Sequence, residues 1–436
     1  MKKTTVEGLF LIGILGLSCL SSIIFKQQSL VMAQQNIQTI KYRNLVIDLG
    51  NGVKTNAQLT LPALGNGPFP GVLLVSGSGA TDMNEHVGKN TAPFLQISQY
   101  LSERGFAVLR YDKRGIGENG TILDSNVWGN TTFTNLKQDA EKALAVLIKQ
   151  PEVDRNKITI IGHSEGTMIV PRVAIEDNAT KIKNIVLMGS IAQNFLDIEY
   201  YQSVPEPLQY SKQVLDKNHT GFISIQQIAK DPLLLLNLPV PKSFLHTLFV
   251  HPNNTKAIYN AIVKEFGITN DSISIDKQLK PALIKYYKNQ TSFNSLQCDK
   301  LQGSIVGMSE GCPIWLKSHY AGEPTLNIIG NVPSTTSILI LQGQNDSQTP
   351  VQQAFLLQQA LIDKKHPDHT LITYPNLGHV FYPSCEWLTS AGPIQPYVLA
   401  DLYSWLETHS GLSHPYIASP SSTLGTDANT SSSSKR

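Results

Sequence analysis

Lys157–Val170, KITIIGHSEGTMIV, is the stretch on which the reading of the fold turns. It begins as an apolar, β-branched run (Ile158, Thr159, Ile160, Ile161) and breaks at Gly162-His163-Ser164-Glu165-Gly166. Apolar residues then resume at helical spacing with Met168, Ile169 and Val173. A strand that turns sharply into a helix at G-x-S-x-G predicts a strained turn, with the Ser164 hydroxyl pushed out at the carboxyl edge of a sheet. Gly162 and Gly166 suit that turn because a side chain at either place would meet the neighbouring strand or helix. The pentapeptide alone is common, so its meaning depends on its surroundings.

Tyr42–Leu49 and Val53–Leu61 read as strands joined by the hairpin signal Gly50-Asn51-Gly52. Gly71–Val75 and Phe106–Tyr111 are short continuous apolar runs, as buried parallel strands require, with a helix predicted between them at Pro93–Arg104. A long helix at Thr134–Gln150 precedes the quoted stretch, and Ile185–Met188 follows it as a further strand. From Ile191 to Thr335 the alternation gives way to helical, aromatic-rich sequence. It resumes with the strand Ser337–Leu341, a helix at Val351–Ile362, the strand Thr370–Tyr374 and a helix at Pro396–Thr408. The expected fold class is α/β, a mostly parallel sheet flanked by helices and built from residues 40–190 and 336–411. Residues 191–335 are expected to form a large, mainly helical cap over the carboxyl edge of that sheet.

The chain has 436 residues, 41% of them hydrophobic, which is ample for a large core. Its formal charge of +2, with no Lys/Arg-rich run, gives no reason to expect a nucleic-acid partner. Lys2 and Lys3, the apolar run Leu9–Phe25 and the small-x-small pattern Val31-Met32-Ala33 read as a secretory signal spanning residues 1–33. An exported protein, periplasmic or secreted, follows, with no stable membrane association after cleavage. An uncleaved membrane anchor is the alternative. Export makes a disulfide plausible, and Cys298 with Cys312 is the candidate pair, leaving Cys385 free. The Ser/Thr-rich tail, 412–436, is expected to be disordered.

A serine hydroxyl is a weak nucleophile and needs a base, usually a histidine held by a carboxylate. In an open α/β sheet all three must come from loops at the carboxyl ends of strands. Asp346, in Gln342-Gly343-Gln344-Asn345-Asp346, is the acid that follows the Ser337–Leu341 strand, and His379, in Leu377-Gly378-His379, follows the next. Taken singly, Asp346 could be a helix cap and His379 a loop histidine. As a set, Ser164, Asp346 and His379 arrive in the chain order this topology requires. The oxyanion formed when a carbonyl is attacked needs pre-aimed N–H donors. Glu165, immediately after the serine, should supply one from its backbone, and Ser78 in the turn Ser76-Gly77-Ser78-Gly79 the other, with Gly79 as the alternative. The Glu165 side chain is expected to face whatever the cap admits. That glycine turn has no G-x-x-x-x-G-K-[ST] continuation, which argues against phosphate binding.

With these motifs in hand, VSGSG, the Asp112–Gly117 run, GHSEG, QGQND and LGH, the chain resembles the α/β-hydrolase superfamily. Its nearest likeness is to the secreted, serine-aminopeptidase-like and dienelactone-hydrolase-like branch. The resemblance implies a Ser-His-Asp triad on Ser164, His379 and Asp346 and an acyl-enzyme, with no cofactor for catalysis. Carboxylic esters are the first substrate expectation and short peptides the second. Acyl transfer, or a non-catalytic binding role on the same fold, are the remaining alternatives. Ser76 stands where many members carry His, and no Arg follows Asp82.

One stretch of the insertion has a separate character. Asp216–Gln227, DKNHTGFISIQQ, is similar to a twelve-residue EF-hand loop, with candidate ligands Asp216, Asn218, Thr220, the Phe222 carbonyl and Gln227. Only Asp216 brings a full negative charge, and Gln227 replaces the bidentate Glu. Asn270–Ile275 echoes the second half of this loop without an acid at its first place, Phe266. The expectation is a degenerate helix–loop–helix pair, with calcium binding as the alternative.

Overall fold

The computed structural model describes residues 40–412 except 66, 88–90, 178–181, 242, 245–250, 252–254, 269–270, 292–312 and 389. The expected signal segment, the Cys298–Cys312 pair and the chain beyond Leu412 lie outside the described residues. Eight strands form the main sheet: β1 Ile40–Gly50, β2 Val53–Pro62, β3 Phe69–Val75, β4 Ala107–Tyr111, β5 Val153–His163, β6 Asn184–Met188, β7 Ser337–Gly343 and β8 His369–Tyr374. Their order is β1-β2-β4-β3-β5-β6-β7-β8. The β1–β2 hairpin is antiparallel, and β2 pairs antiparallel to β4. From β4 to β8 every pairing is parallel. The hairpin turns at Gly50, Asn51 and Gly52, all with positive φ, as its sequence predicts.

The central strands are apolar throughout because both faces of the sheet are covered. Alternate residues feed two cores. Leu73, Ile158, Ile160, Ile185, Leu187, Ile338 and Ile340 face one way, against helices α2 (Phe133–Leu147) and α3 (Gly166–Glu176). Val72, Leu74, Ile161, Val186, Leu339 and Leu341 face the other. They meet α1 (Pro93–Ser102) and the last helix, Pro396–His409. Burial of each such side chain contributes about 1.5–3 kcal/mol. Helix α1 stops two residues short of the sequence expectation because the chain turns at Gly105, where φ is +97°.

Between β6 and β7 the structure is largely helical, with one pair of three-residue strands, Phe222–Ser224 and Ser272–Ser274. This part has a core of its own, built from Ile223, Ile225, Ile228, Leu234, Ile258, Ile262, Ile273, Ile275 and Leu283. Its outer segments join the main body. Helix α4 (Phe195–Ser203) and helix α5 (Pro313–Tyr320) place Phe195, Ile198 and Trp315 in the core that lies over α2 and α3. Gln202 donates to the Gln348 carbonyl (2.6 Å), and Phe133 N–H donates to Ser318 Oγ (2.9 Å). The insertion therefore touches loops at the carboxyl edge of the sheet.

Candidate active site

Ser164 ends β5 on the expected turn, in the left-handed region at φ +52°. For a residue with a side chain this conformation costs about 1–3 kcal/mol, and the surroundings hold it in place. Its N–H donates to the Met188 carbonyl at the end of β6 (2.9 Å). A Cβ on Gly162 would fall 2.4 Å from the Gly166 carbonyl oxygen, and one on Gly166 would fall 2.2 Å from the Val75 oxygen. Both glycines of the motif are therefore sterically obligatory.

Asp346 follows β7 and is buried. Its Oδ1 accepts the N–H groups of Gln348 (2.9 Å) and Thr349 (2.8 Å). Its Oδ2 accepts from Gln342 Nε2 (2.8 Å), Thr349 Oγ1 (2.8 Å) and His379 Nδ1 (2.9 Å). Burial alone would raise this carboxyl, but the imidazole of His379 and the Thr349 donors outweigh it and hold it below the usual carboxylate range. An ionised Asp346 makes Nδ1 of His379 the protonated nitrogen, which leaves Nε2 free to accept a proton. Among the described residues, neither Ser164 Oγ nor His379 Nε2 makes a hydrogen bond. Such a bond commonly tightens only when substrate is bound.

The other side of the nucleophile is the turn after β3. A Cβ on Gly77 would lie 2.9 Å from Ser164 Cβ, so this loop rests against the serine. Gly77 N–H is taken by Glu85 Oε1 (2.6 Å). Among the described residues, the N–H groups of Ser78, Gly79 and Glu165 have no acceptor. Ser76 Oγ bonds Thr81 Oγ1 (2.9 Å), and Asp82 accepts the N–H groups of Asn84, His86 and Asn119, which folds the loop back on itself.

The structure corrects the expectation for the Glu165 side chain. It is fully buried and engaged inside the protein, not offered to a substrate. Lys113 Nζ donates to its Oε2 (2.6 Å) and Trp315 Nε1 to its Oε1 (3.0 Å). His319 Nε2 stands 2.7 Å from Oε1 but off the line of a ring N–H bond. Burial would push the carboxyl up; Lys113 and His319 reverse that and bring it down to about 2.

Several side chains that organise the site were not singled out from the sequence. His163, the residue before the nucleophile, bonds Glu85 through Nδ1 (2.9 Å) and the His379 carbonyl through Nε2 (3.0 Å). Gln342 bridges Asp346, the Thr349 carbonyl (2.8 Å) and Ser190 N–H (2.8 Å). Gln342 and Lys113 lay in motifs already quoted, which was the available signal. Glu85, Trp315 and His319 had none.

The EF-hand-like loop pairs with its echo, Ile223 opposite Ile273. Asp216 accepts Thr220 N–H (2.9 Å) and Oγ1 (3.0 Å) on one oxygen and Gly221 N–H (2.6 Å) on the other. Thr220 Oγ1 also lies 3.4 Å from the Phe222 carbonyl, and Asn218 is exposed. Gln227 is used as a helix cap: Oε1 accepts Ser224 N–H (2.8 Å) and Nε2 donates to the Leu215 carbonyl (2.9 Å). Among the described residues no group of three or more His, Cys, Asp or Glu side chains is arranged to hold a metal ion. No described helix is long and apolar enough to cross a membrane.

A sheet in this order with a serine elbow after β5 is the architecture of the α/β-hydrolases. Residues 74–222 match the serine aminopeptidase family S33, and residues 300–413 match the prolyl oligopeptidase family. Esterase EstD of Thermotoga maritima is 36% identical over 150 residues, 34% of this chain and 34% of that protein. Esterase FrsA of Yersinia enterocolitica is 22% identical over 154 residues, 35% of this chain and 33% of that protein. The chain thus matches about a third of the length of these curated relatives. A thermostable carboxyl esterase from Bacillus coagulans aligns with a TM-score of 0.46 at 16% identity, covering 85% of this chain and 99% of that one. The elbow and the sheet order give the chain the α/β-hydrolase fold, and the matched segments are similar in sequence to the serine aminopeptidase and prolyl oligopeptidase families and to esterases.

Proposed function

We propose that this chain is an exported serine hydrolase that cleaves small carboxylic esters. Ser164 Oγ attacks the ester carbonyl while His379 Nε2 takes its proton. The tetrahedral oxyanion is held by the N–H groups of Ser78 and Glu165. Collapse expels the alcohol, which receives the proton from His379, and leaves an acyl-enzyme on Ser164. Water, deprotonated by the same imidazole, releases the acid. The observation that carries this reading is the buried Asp346–His379 pair, whose imidazole packs on the ring of His163 (centroids 4.7 Å apart), the residue immediately before a serine held at positive φ. Esterase names among the relatives support esters as the substrate class.

The aminopeptidase and prolyl oligopeptidase matches favour a second reading, hydrolysis of short peptides by the same residues. Both readings are tested by p-nitrophenyl esters of increasing chain length alongside aminoacyl p-nitroanilides, with wild type and Ser164→Ala. Ester turnover that disappears in Ser164→Ala supports the first; turnover of anilides alone supports the second. Equal rates in both proteins contradict both. Export rests on residues 1–33 and is tested by the mature N-terminus, expected at Gln34 in the exported fraction.

A further inference from the structure

Among the buried charges that the proposed chemistry does not use, one lies between the two oxyanion segments. Lys113, in the run that follows β4, is 4% exposed. An ammonium in such a place is retained only when neutralised and fully hydrogen-bonded. Its Nζ reaches two oxygens: Glu165 Oε2 at 2.6 Å and the Gly77 carbonyl at 2.5 Å. These belong to the two segments that carry the proposed oxyanion donors.

The Gly77 carbonyl and the Ser78 N–H are ends of one planar peptide unit. That peptide is trans, so its oxygen and its hydrogen point in opposite directions. Fixing the oxygen on Lys113 therefore fixes the line along which Ser78 N–H points. The bond also polarises the peptide and makes that N–H a stronger donor. On the other segment, Lys113 and Trp315 each take one carboxylate oxygen of Glu165 and so restrain the residue whose N–H is the second donor. Glu85 holds the Gly77 N–H, so the peptide before Gly77 is fixed as well.

We propose that Lys113 is a positioning residue for the oxyanion site, one ammonium that aligns the Ser78 and Glu165 N–H donors across Ser164. This rests on Ser164 being the nucleophile. Helix α5, through Trp315, closes the far side of the same cluster, so the segment between β6 and β7 contributes a side chain to it. The role is confined to the step in which charge develops on the substrate oxygen, and ground-state binding should hardly depend on it.

The test compares wild type, Lys113→Met and the charge-balanced Lys113→Met/Glu165→Gln, which leaves no unpaired carboxylate in the core. Measured are melting temperature, kcat and KM on p-nitrophenyl acetate, and inhibition by an aryl trifluoromethyl ketone, whose adduct with a serine carries an oxyanion. The double variant is expected to stay folded and to lose about 10²-fold in kcat, with KM changed less than about threefold. Affinity for the ketone should fall by a similar factor. A folded double variant with kcat within about threefold of wild type overturns the proposal, as does a loss of kcat with unchanged ketone affinity. If wild type is active and Ser164→Ala equally so, the underlying reading fails, and that outcome is visible before any Lys113 variant is made.

Discussion

His163 Nε2 donates to the backbone carbonyl of His379 (3.0 Å), so the residue before the nucleophile fastens the loop that carries the proposed base. Its other nitrogen bonds Glu85 Oε1, which also accepts Gly77 N–H. Both ring nitrogens face oxygens, the Glu85 carboxylate and the His379 carbonyl, an arrangement that favours the doubly protonated ring. Burial opposes this charge, but Glu85 and the His379 carbonyl outweigh burial and raise the pKa above its ordinary value. A raised folded-state pKa gives stability that is fully present below the unfolded value near 6.5 and is lost as pH rises through the folded value. The advantage of wild type over His163→Gln in denaturant unfolding should shrink as pH rises above the ordinary value near 6.5 and through the raised folded value. A constant or growing advantage would contradict an imidazolium at this position.

Asp346→Asn should remain folded but present an amide to His379 Nδ1, favouring the wrong tautomer. On the triad template the expected loss in kcat is about 10⁴-fold, with KM little changed. Because the Asp346 pKa is held down, its contribution to stability is present above the ordinary value near 3.8 and disappears as pH falls through the folded value. Unfolding curves of the two proteins should therefore converge in acid. A kcat within tenfold of wild type would show that this carboxylate is not the partner the base requires.

Gly189 follows β6 at φ +62°, and a Cβ there would lie 3.0 Å from His379 Cε1 and 3.1 Å from Nδ1. Gly189→Ala is thus expected to displace the imidazole and to cost about 1–2 kcal/mol for the left-handed backbone. Steady-state kinetics and a thermal melt together check this. A protein with lowered melting temperature but intact kcat would show that the ring moves without consequence.

The paired loops of the insertion make a structural prediction about calcium. Both Asp216 oxygens accept bonds from Thr220 and Gly221, and Gln227 caps a helix. Millimolar calcium against excess chelator should leave the melting temperature unchanged. An upward shift with calcium, absent in Asp216→Ala, would show a working site.

The sheet, its strand ends and the elbow were legible because their signals are local: apolar runs bounded by glycine, and a strand-to-helix break with two glycines that sterics demand. The two-sided burial of β3, β5 and β7 is visible as unbroken apolar text. What remained hidden is carried by pairs distant in the chain. Glu85 meets His163, and Lys113 meets Glu165, across intervening strands and helices, and neither acid lies in a periodic pattern. The Glu165 side chain was misread for the same reason. Its partners Trp315 and His319 come from a helix about 150 residues away whose docking no local pattern announces. The insertion's own small core was legible only as the Ile223 and Ile273 echo, which the strand pair confirms as a contact.

The central claim is that Ser164 is an activated nucleophile. Its most direct test is to expose the folded protein to a fluorophosphonate and locate the adduct by peptide mass analysis. One phosphonyl group per chain is expected, on Ser164, with labelling abolished in Ser164→Ala and strongly slowed in His379→Ala. An unmodified wild type, or labelling that persists in Ser164→Ala, would contradict it.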